Sequence, residues 1–138
     1  MPEPACQRLS IRTQGAGFYE ITRSIIPMLE GTGVLTLFIR HTSASLLIQE
    51  NADPDVQTDL MGFLTRLAPH ADHPQMNWLT HRIEGPDDMP AHIKAALLPT
   101  SLQIPVIDGR MLLGRWQGIY LVEHRDAPHA REVVVMLR

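Results

Sequence analysis

The chain has 138 residues, 44% of them apolar, and 15 acidic against 12 basic side chains leave a net charge of −3. That size and composition fit one domain over residues 1–138 with one packed core, and argue against disorder. The mild negative charge argues against duplex nucleic acid as a partner, and no apolar run reaches the ~20 residues that would span a membrane.

The elements follow in chain order. Residues 7–13 alternate apolar and polar and predict a strand. Gly15 and Gly17 mark a turn. Ile21, Ile25 and Met28 recur at helical spacing, so 19–29 predicts a helix that Pro27 ends or kinks. Residues 34–41 predict a central strand, because both of its faces carry apolar groups, and 45–49 a short one. Asp53 before Pro54 is a helix start, a cap and then proline at the first helical position. The following stripe of Val56, Leu60, Phe63, Leu64 and Leu67 predicts a buried helix face, closed by Pro69. Residues 70–80 read as a polar loop, with an extended piece near Trp78. A third helix is expected from the turn at 85–90 to about Leu98. Residues 101–107 predict a strand near an edge because of Pro105, and Asp108-Gly109 a hairpin. Two further strands, 116–125 and 131–137, close the series. Six or seven strands with three helices, and strands running consecutively at the C-terminal end, predict an α+β fold with antiparallel pairing. The lone cysteine, Cys6, permits no internal disulfide. With no export signal recognisable, a reducing, cytoplasmic setting is expected.

Four segments carry chemistry. In 81–92, Asp88 and His92 stand four apart on one helix face, and a carboxylate beside an imidazole fixes its tautomer and raises its basicity, as a metal ligand requires. In 116–125, the run Glu123-His124-Arg125 is costly to bury unless paired or bound to something. In 41–45, His41 aligns with three aliphatic residues, and the Thr42, Ser43 and Ser45 hydroxyls can bind phosphate oxygens or cap a turn. In 50–59, Asp53 is explained by capping. Glu50 and Asn51 have no such role, and Asp59 lies at the edge of the apolar stripe. No standard zinc, phosphate-loop or nucleophile-elbow spacing occurs. Histidines with nearby carboxylates suit zinc or another borderline divalent ion, and the acids could add magnesium.

Read together, several stretches resemble the YjbQ family, small bacterial and archaeal proteins described as secondary thiamine-phosphate synthases. They are His41-Thr42-Ser43-Ala44-Ser45-Leu46, Glu50-Asn51-x-Asp53-Pro54-x-Val56, Asp59, His81-x-x-Glu84-Gly85, Asp87-Asp88-Met89-Pro90-x-His92-Ile93-Lys94 and Thr100-Ser101-Leu102. Gly109-Arg110, Gly114-x-Trp116-Gln117-Gly118-Ile119, Glu123-His124-Arg125 and Arg131 complete the set. One departure is the loop Asp126-Ala127-Pro128-His129-Ala130, where a glycine-containing loop is expected.

The resemblance implies an antiparallel sheet curled into a half-barrel, a homotrimer, and metal held by His81, His92 and His124 with His41 nearby. It further implies an enzyme that joins hydroxymethylpyrimidine diphosphate to thiazole phosphate and releases pyrophosphate. That step needs the leaving charge neutralised. Lys94 and Arg125 are available cations. Glu50, Asp59, Asp88 and Glu123 are available carboxylates. His41, Thr42, Ser43, Ser45, Asn51, Trp116 and Gln117 are candidate substrate contacts. The alternative is a non-catalytic trimeric module that binds a metal or metabolite in the same pocket.

Overall fold

The computed structural model describes residues 6–138. Its strands are β1 (Cys6–Thr13), β2 (Gly17–Glu20), β3 (Gly33–Ile39), β4 (Ala44–Glu50), β5 (Ser101–Ile107), β6 (Arg110–Met111), β7 (Gln117–Glu123) and β8 (His129–Leu137). Its helices are α1 (Thr22–Ile25), α2 (Pro54–Leu67) and α3 (Asp88–Leu97). One sheet runs β1-β8-β3-β5-β6 and the other β2-β7-β4. Every strand pair among the described residues is antiparallel. The sheets curl about a shared core into the expected α+β half-barrel.

Alternation builds that core. Leu35, Leu37 and Ile39 of β3 point inward with Leu46 of β4, Ile119 and Leu121 of β7, and Val133 and Val135 of β8. Each is at most 2% exposed, and burying each such side chain contributes ~1.5–3 kcal/mol. β3 lies between β8 and β5, as its two apolar faces predict. Asp108 and Gly109 both take positive φ, 48° and 75°, the geometry that a tight two-residue hairpin demands. β5 is second from the edge; β6 pairs only with Val106 and Ile107, and the Pro105 carbonyl accepts from the Leu112 backbone N–H at 2.9 Å just beyond that short ladder.

Four expectations need correction. The helix predicted over 19–29 begins later. Phe18, Tyr19 and Glu20 pair with β7 as a strand, and α1 has a single turn before Pro27 converts the chain to a 3-10 turn. The helical spacing of Ile21 and Ile25 reflects a real inward face, but a short one. α2 starts as predicted, with the Asp53 carboxylate accepting from the Asp55 backbone N–H. Its apolar stripe, however, is not buried: only Leu64 is, while Phe63 and Leu67 face water in this single chain. The segment near Trp78 forms no strand and instead includes a 3-10 turn at Pro74–Met76. Finally, β7 and β8 are consecutive yet belong to different sheets. No helix among the described residues is long and apolar enough to cross a membrane.

Candidate metal centre

α3 delivers the central acid. Gly85, at φ +103°, reverses the chain just before it, a conformation that only glycine adopts at little cost. Asp87 then takes the cap position without capping, because its carboxylate is spent on Arg125. Asp88 follows as the first helical residue and is buried.

Both Asp88 oxygens are engaged. Oδ1 accepts from Arg125 Nη1 at 2.8 Å. Arg125 is itself fixed by Nε donating to Asp87 Oδ2 at 2.9 Å and Nη2 donating to the Glu84 carbonyl at 3.1 Å. The guanidinium therefore aims Asp88, leaving Oδ2 directed at two imidazoles. His81 Nε2 lies 2.8 Å from Oδ2 and His92 Nε2 lies 3.2 Å from it. The two rings are 5.7 Å apart, centre to centre. One potential ligand atom from each of His81, Asp88 and His92 falls within 4.8 Å of the other two.

The tautomer of His92 is decisive. Its Nδ1 lies 2.9 Å from the Thr42 carbonyl. A carbonyl only accepts, so Nδ1 carries the proton, and the Nε2 of a neutral ring then presents a lone pair. That lone pair faces a carboxylate oxygen. A proton or a cation between them resolves the repulsion. Two imidazole nitrogens and one carboxylate oxygen, part buried and open on one side, are the donors that zinc and related divalent ions take at sites with a free position. The residues present thus fit the metal that the resemblance implies.

His124 stands apart from this group. It is 3% exposed, and its Nε2 shares a 2.9 Å hydrogen bond with Ser45 Oγ. Within the chain, the group whose ligand atom falls within 4.8 Å of those of His81 and His92 is Asp88. The physical reason lies in β7, whose residues are buried on both faces from Gly118 onward, so its C-terminal end feeds the interior. Burial, and then the charges of Lys94 and Arg131, push the His124 pKa down to about 4, against an opposing pull from Glu123.

This has a sign that can be tested. The unfolded imidazole, at an ordinary 6.5, binds a proton that the folded one refuses. The stability contributed is fully present above pH 6.5 and drains as pH falls toward 4. Denaturant titrations should show that decline, and the ring's NMR shifts should stay those of neutral imidazole at about pH 5.5, between the two values. A His124 that titrates near 6.5 would contradict its burial.

Glu123 is fully buried and fully committed. Its carboxylate accepts from Thr13 Oγ1 at 2.7 Å, from Arg131 Nε at 2.8 Å, from Arg131 Nη2 and from the Arg125 backbone N–H at 3.1 Å. Burial alone would raise its pKa, but these hydrogen bonds outweigh burial and hold it below the usual carboxylate range. Arg131 also reaches the Ser43 carbonyl and hydroxyl. Glu123, Ser43 and Ser45 therefore hold the frame, with no oxygen turned outward for a substrate.

His41 is different. Its Nε2 accepts from the Glu132 backbone N–H at 2.9 Å, which leaves Nδ1 as a donor. Desolvation, then Arg131, lower its pKa and keep it neutral. With Thr42, Thr100 and His92 it lines a cavity of about 270 Å³. Lys94 is buried on another face of α3, and its pKa is lowered by desolvation against the pull of Asp126 and Asp87.

The remaining expected residues lie elsewhere. Along the β4–β7 ladder, Ala44 pairs with Glu123 and Glu50 with Gln117. Six residue steps at ~3.3 Å put Glu50, Asn51, Trp116 and Gln117 ~20 Å from the His124 end. There Asn51 donates to Glu20 at 3.0 Å, and Gln117 accepts from the Gly114 backbone at 2.7 Å. Asp59 is an exposed residue of α2. Sequence reasoning missed the Thr42 carbonyl as the partner that sets His92. A backbone acceptor leaves no trace in residue identity.

Residues 7–138 match the family model described as UPF0047 protein YjbQ-like. The chain belongs to the YjbQ-like UPF0047 family. It is 50% identical over 131 residues to the UPF0047 protein of Synechocystis sp., covering 92% of this chain and 86% of that one. It is 39% identical to the YjbQ protein of Escherichia coli O157:H7, with 94% of each chain covered. A crystal structure of a conserved hypothetical protein from Thermus thermophilus superposes with a TM-score of 0.84 at 41% identity, covering 96% of this chain and 99% of that one. Membership in the YjbQ-like family carries the fold but names no reaction.

Proposed function

We propose that this YjbQ-like chain is a divalent-cation-dependent enzyme acting on a small phosphorylated substrate, with His81, Asp88 and His92 as the cation's protein ligands. The observation that carries the reading is the convergence of His81 Nε2 and His92 Nε2 on Asp88 Oδ2, with Arg125 holding that carboxylate in place. When bound, zinc or magnesium supplies neutralising charge to phosphate oxygens. The chain's own groups do the rest. The His41 Nδ1–H and the Thr42 hydroxyl offer neutral donors at the mouth of the adjacent cavity. The finer reaction is the one implied by the sequence resemblance, joining hydroxymethylpyrimidine diphosphate to thiazole phosphate with loss of pyrophosphate. The same reading takes the assembly to be a homotrimer, supported by the exposed Phe63, Leu67 and Leu97, apolar groups that a single chain leaves in water.

The test is direct. Protein loaded with zinc, and separately with magnesium, is given both substrates. Thiamine phosphate and pyrophosphate should form in equal amounts and vanish with chelator. Binding of either substrate without turnover would favour the non-catalytic module instead. Light scattering should give three times the chain mass, and a monomer mass would remove the trimer.

A further inference from the structure

The Asp87 carboxylate is turned away from its own helix. At a cap position an aspartate ordinarily accepts from the free N–H groups of the first turn, and Asp87 makes no such bond. Its Oδ2 accepts instead from Arg125 Nε and from the Asp126 backbone N–H, each at 2.9 Å. Gly85 leaves the room for this, since a Cβ at position 85 would come 3.3 Å from Asp87 Oδ1.

A guanidinium has five N–H donors in a planar fork, and its favoured grip on a carboxylate is two parallel bonds, one to each oxygen. Arg125 makes only one bond to Asp88, from Nη1 to Oδ1 at 2.8 Å. Its Nε is held by Asp87, and its Nη2 by the Glu84 carbonyl at 3.1 Å. The backbone is pinned as well, the Arg125 N–H donating to Glu123 Oε2 at 3.1 Å. These acceptors hold the guanidinium off a two-oxygen grip. Such a grip would occupy Asp88 Oδ2, the oxygen on which His81 Nε2 and His92 Nε2 converge.

We propose that Asp87 is a positioning residue for the cation site: by engaging Arg125 Nε it confines the guanidinium to Asp88 Oδ1 and keeps Oδ2 open to a divalent cation. The inference rests on the reading of His81, Asp88 and His92 as the cation's ligands, and adds the residue that keeps their carboxylate available. Asp87 is not one of the three converging groups and acts on them only through Arg125. Because the same Asp87 oxygen holds the Asp126 N–H, the loop between β7 and β8 is tied to the same device.

Zinc affinity of the whole protein, measured by competition with a chromogenic chelator, tests this. Asp87→Ala frees Arg125 Nε and should weaken zinc by ~10–100-fold, the range for loss of a group that orients a ligand. Asp87→Ser, with a side chain favoured at helix caps, makes the same test in a protein whose α3 start is protected, and should lose a similar factor. Asp87→Asn keeps an oxygen for Nε and the Asp126 N–H without the charge, and should stay closer to wild type than to Asp87→Ala. Combining Asp87→Ala with Arg125→Met removes the guanidinium that would turn onto Asp88, so the double variant should bind zinc more tightly than Asp87→Ala alone. A residue that merely supports the fold predicts the reverse order. Equal affinity in wild type, Asp87→Ala and Asp87→Ser would overturn the assignment while leaving the cation site intact. Asp87→Asn as weak as Asp87→Ala would also overturn it, because the charge and not the bond would then be the cause. Wild-type protein that takes up no zinc would be a failure of the cation reading itself, and this inference would fall with it.

Discussion

Asp88→Asn should weaken zinc binding by about a hundredfold or more, while the protein stays folded. Asp88 Oδ2 is the point on which both imidazoles converge. An amide there brings either a neutral oxygen of lower donor strength or an N–H₂ that repels a cation. Even loss of a group that merely orients a ligand costs ~10–100-fold in affinity, so loss of the anionic ligand itself should cost at least the upper figure. Arg125 keeps Asp87 and the Glu84 carbonyl as partners, so the N-terminus of α3 should hold. Competition with a chromogenic chelator gives the affinity, and elemental analysis gives the content. His81→Ala and His92→Ala should behave similarly. His124→Ala should leave zinc content alone, which distinguishes two imidazoles plus a carboxylate from the three-imidazole set that the family resemblance implies. Asp88→Asn protein that retains zinc at wild-type affinity would end the claim.

The second large effect is structural. Glu123→Gln should destabilise the protein by ~3–5 kcal/mol, because it strands the Arg131 guanidinium in the interior with no counter-charge. For a chain of this size that amounts to a fall of ~10–20 °C in the melting midpoint. The penalty comes from the orphaned partner rather than from the pair's intrinsic worth. Glu123→Leu combined with Arg131→Met should therefore recover more than half the loss. Thr13 Oγ1 keeps the His129 carbonyl, and the Ser43 carbonyl keeps the His124 N–H, so the double variant leaves these groups satisfied. A double variant no better than Glu123→Gln would mean that the salt bridge contributes more than it costs to bury.

The fold was largely legible because burial writes itself into periodicity. Alternation marked β1, apolar groups on both faces marked β3 as a central strand, and the Asp53-Pro54 pair marked the start of α2. What periodicity records is whether a side chain faces apolar surroundings, not which strand lies beside it. Hence β7 and β8 read as neighbours although they join different sheets. The stripe Val56, Leu60, Phe63, Leu64 and Leu67 read as core although most of it is open in one chain.

The candidate site was half legible. Asp88 and His92 meet because four residues is about one helical turn, and His81 was flagged by the turn that follows it. The family resemblance set His124 beside them. Its position just past the end of a doubly buried strand, where it meets Ser45, needed coordinates. Glu50 and Asn51 carried the same acid and amide chemistry, but a fully extended β4 holds them at its far end.

The pairing order of the larger sheet also governs how the molecule is made. β8 hydrogen-bonds to both β1 and β3, so the five-stranded sheet lacks one of its inner members until the last strand emerges from the ribosome. Until then β1 must wait with an unmatched edge, its eventual neighbour more than a hundred residues downstream. Such distant closure is slow, and the waiting strands are exposed to association with other nascent chains. Expression at lower temperature, where aggregation of waiting strands is suppressed, should raise the yield of correctly assembled protein.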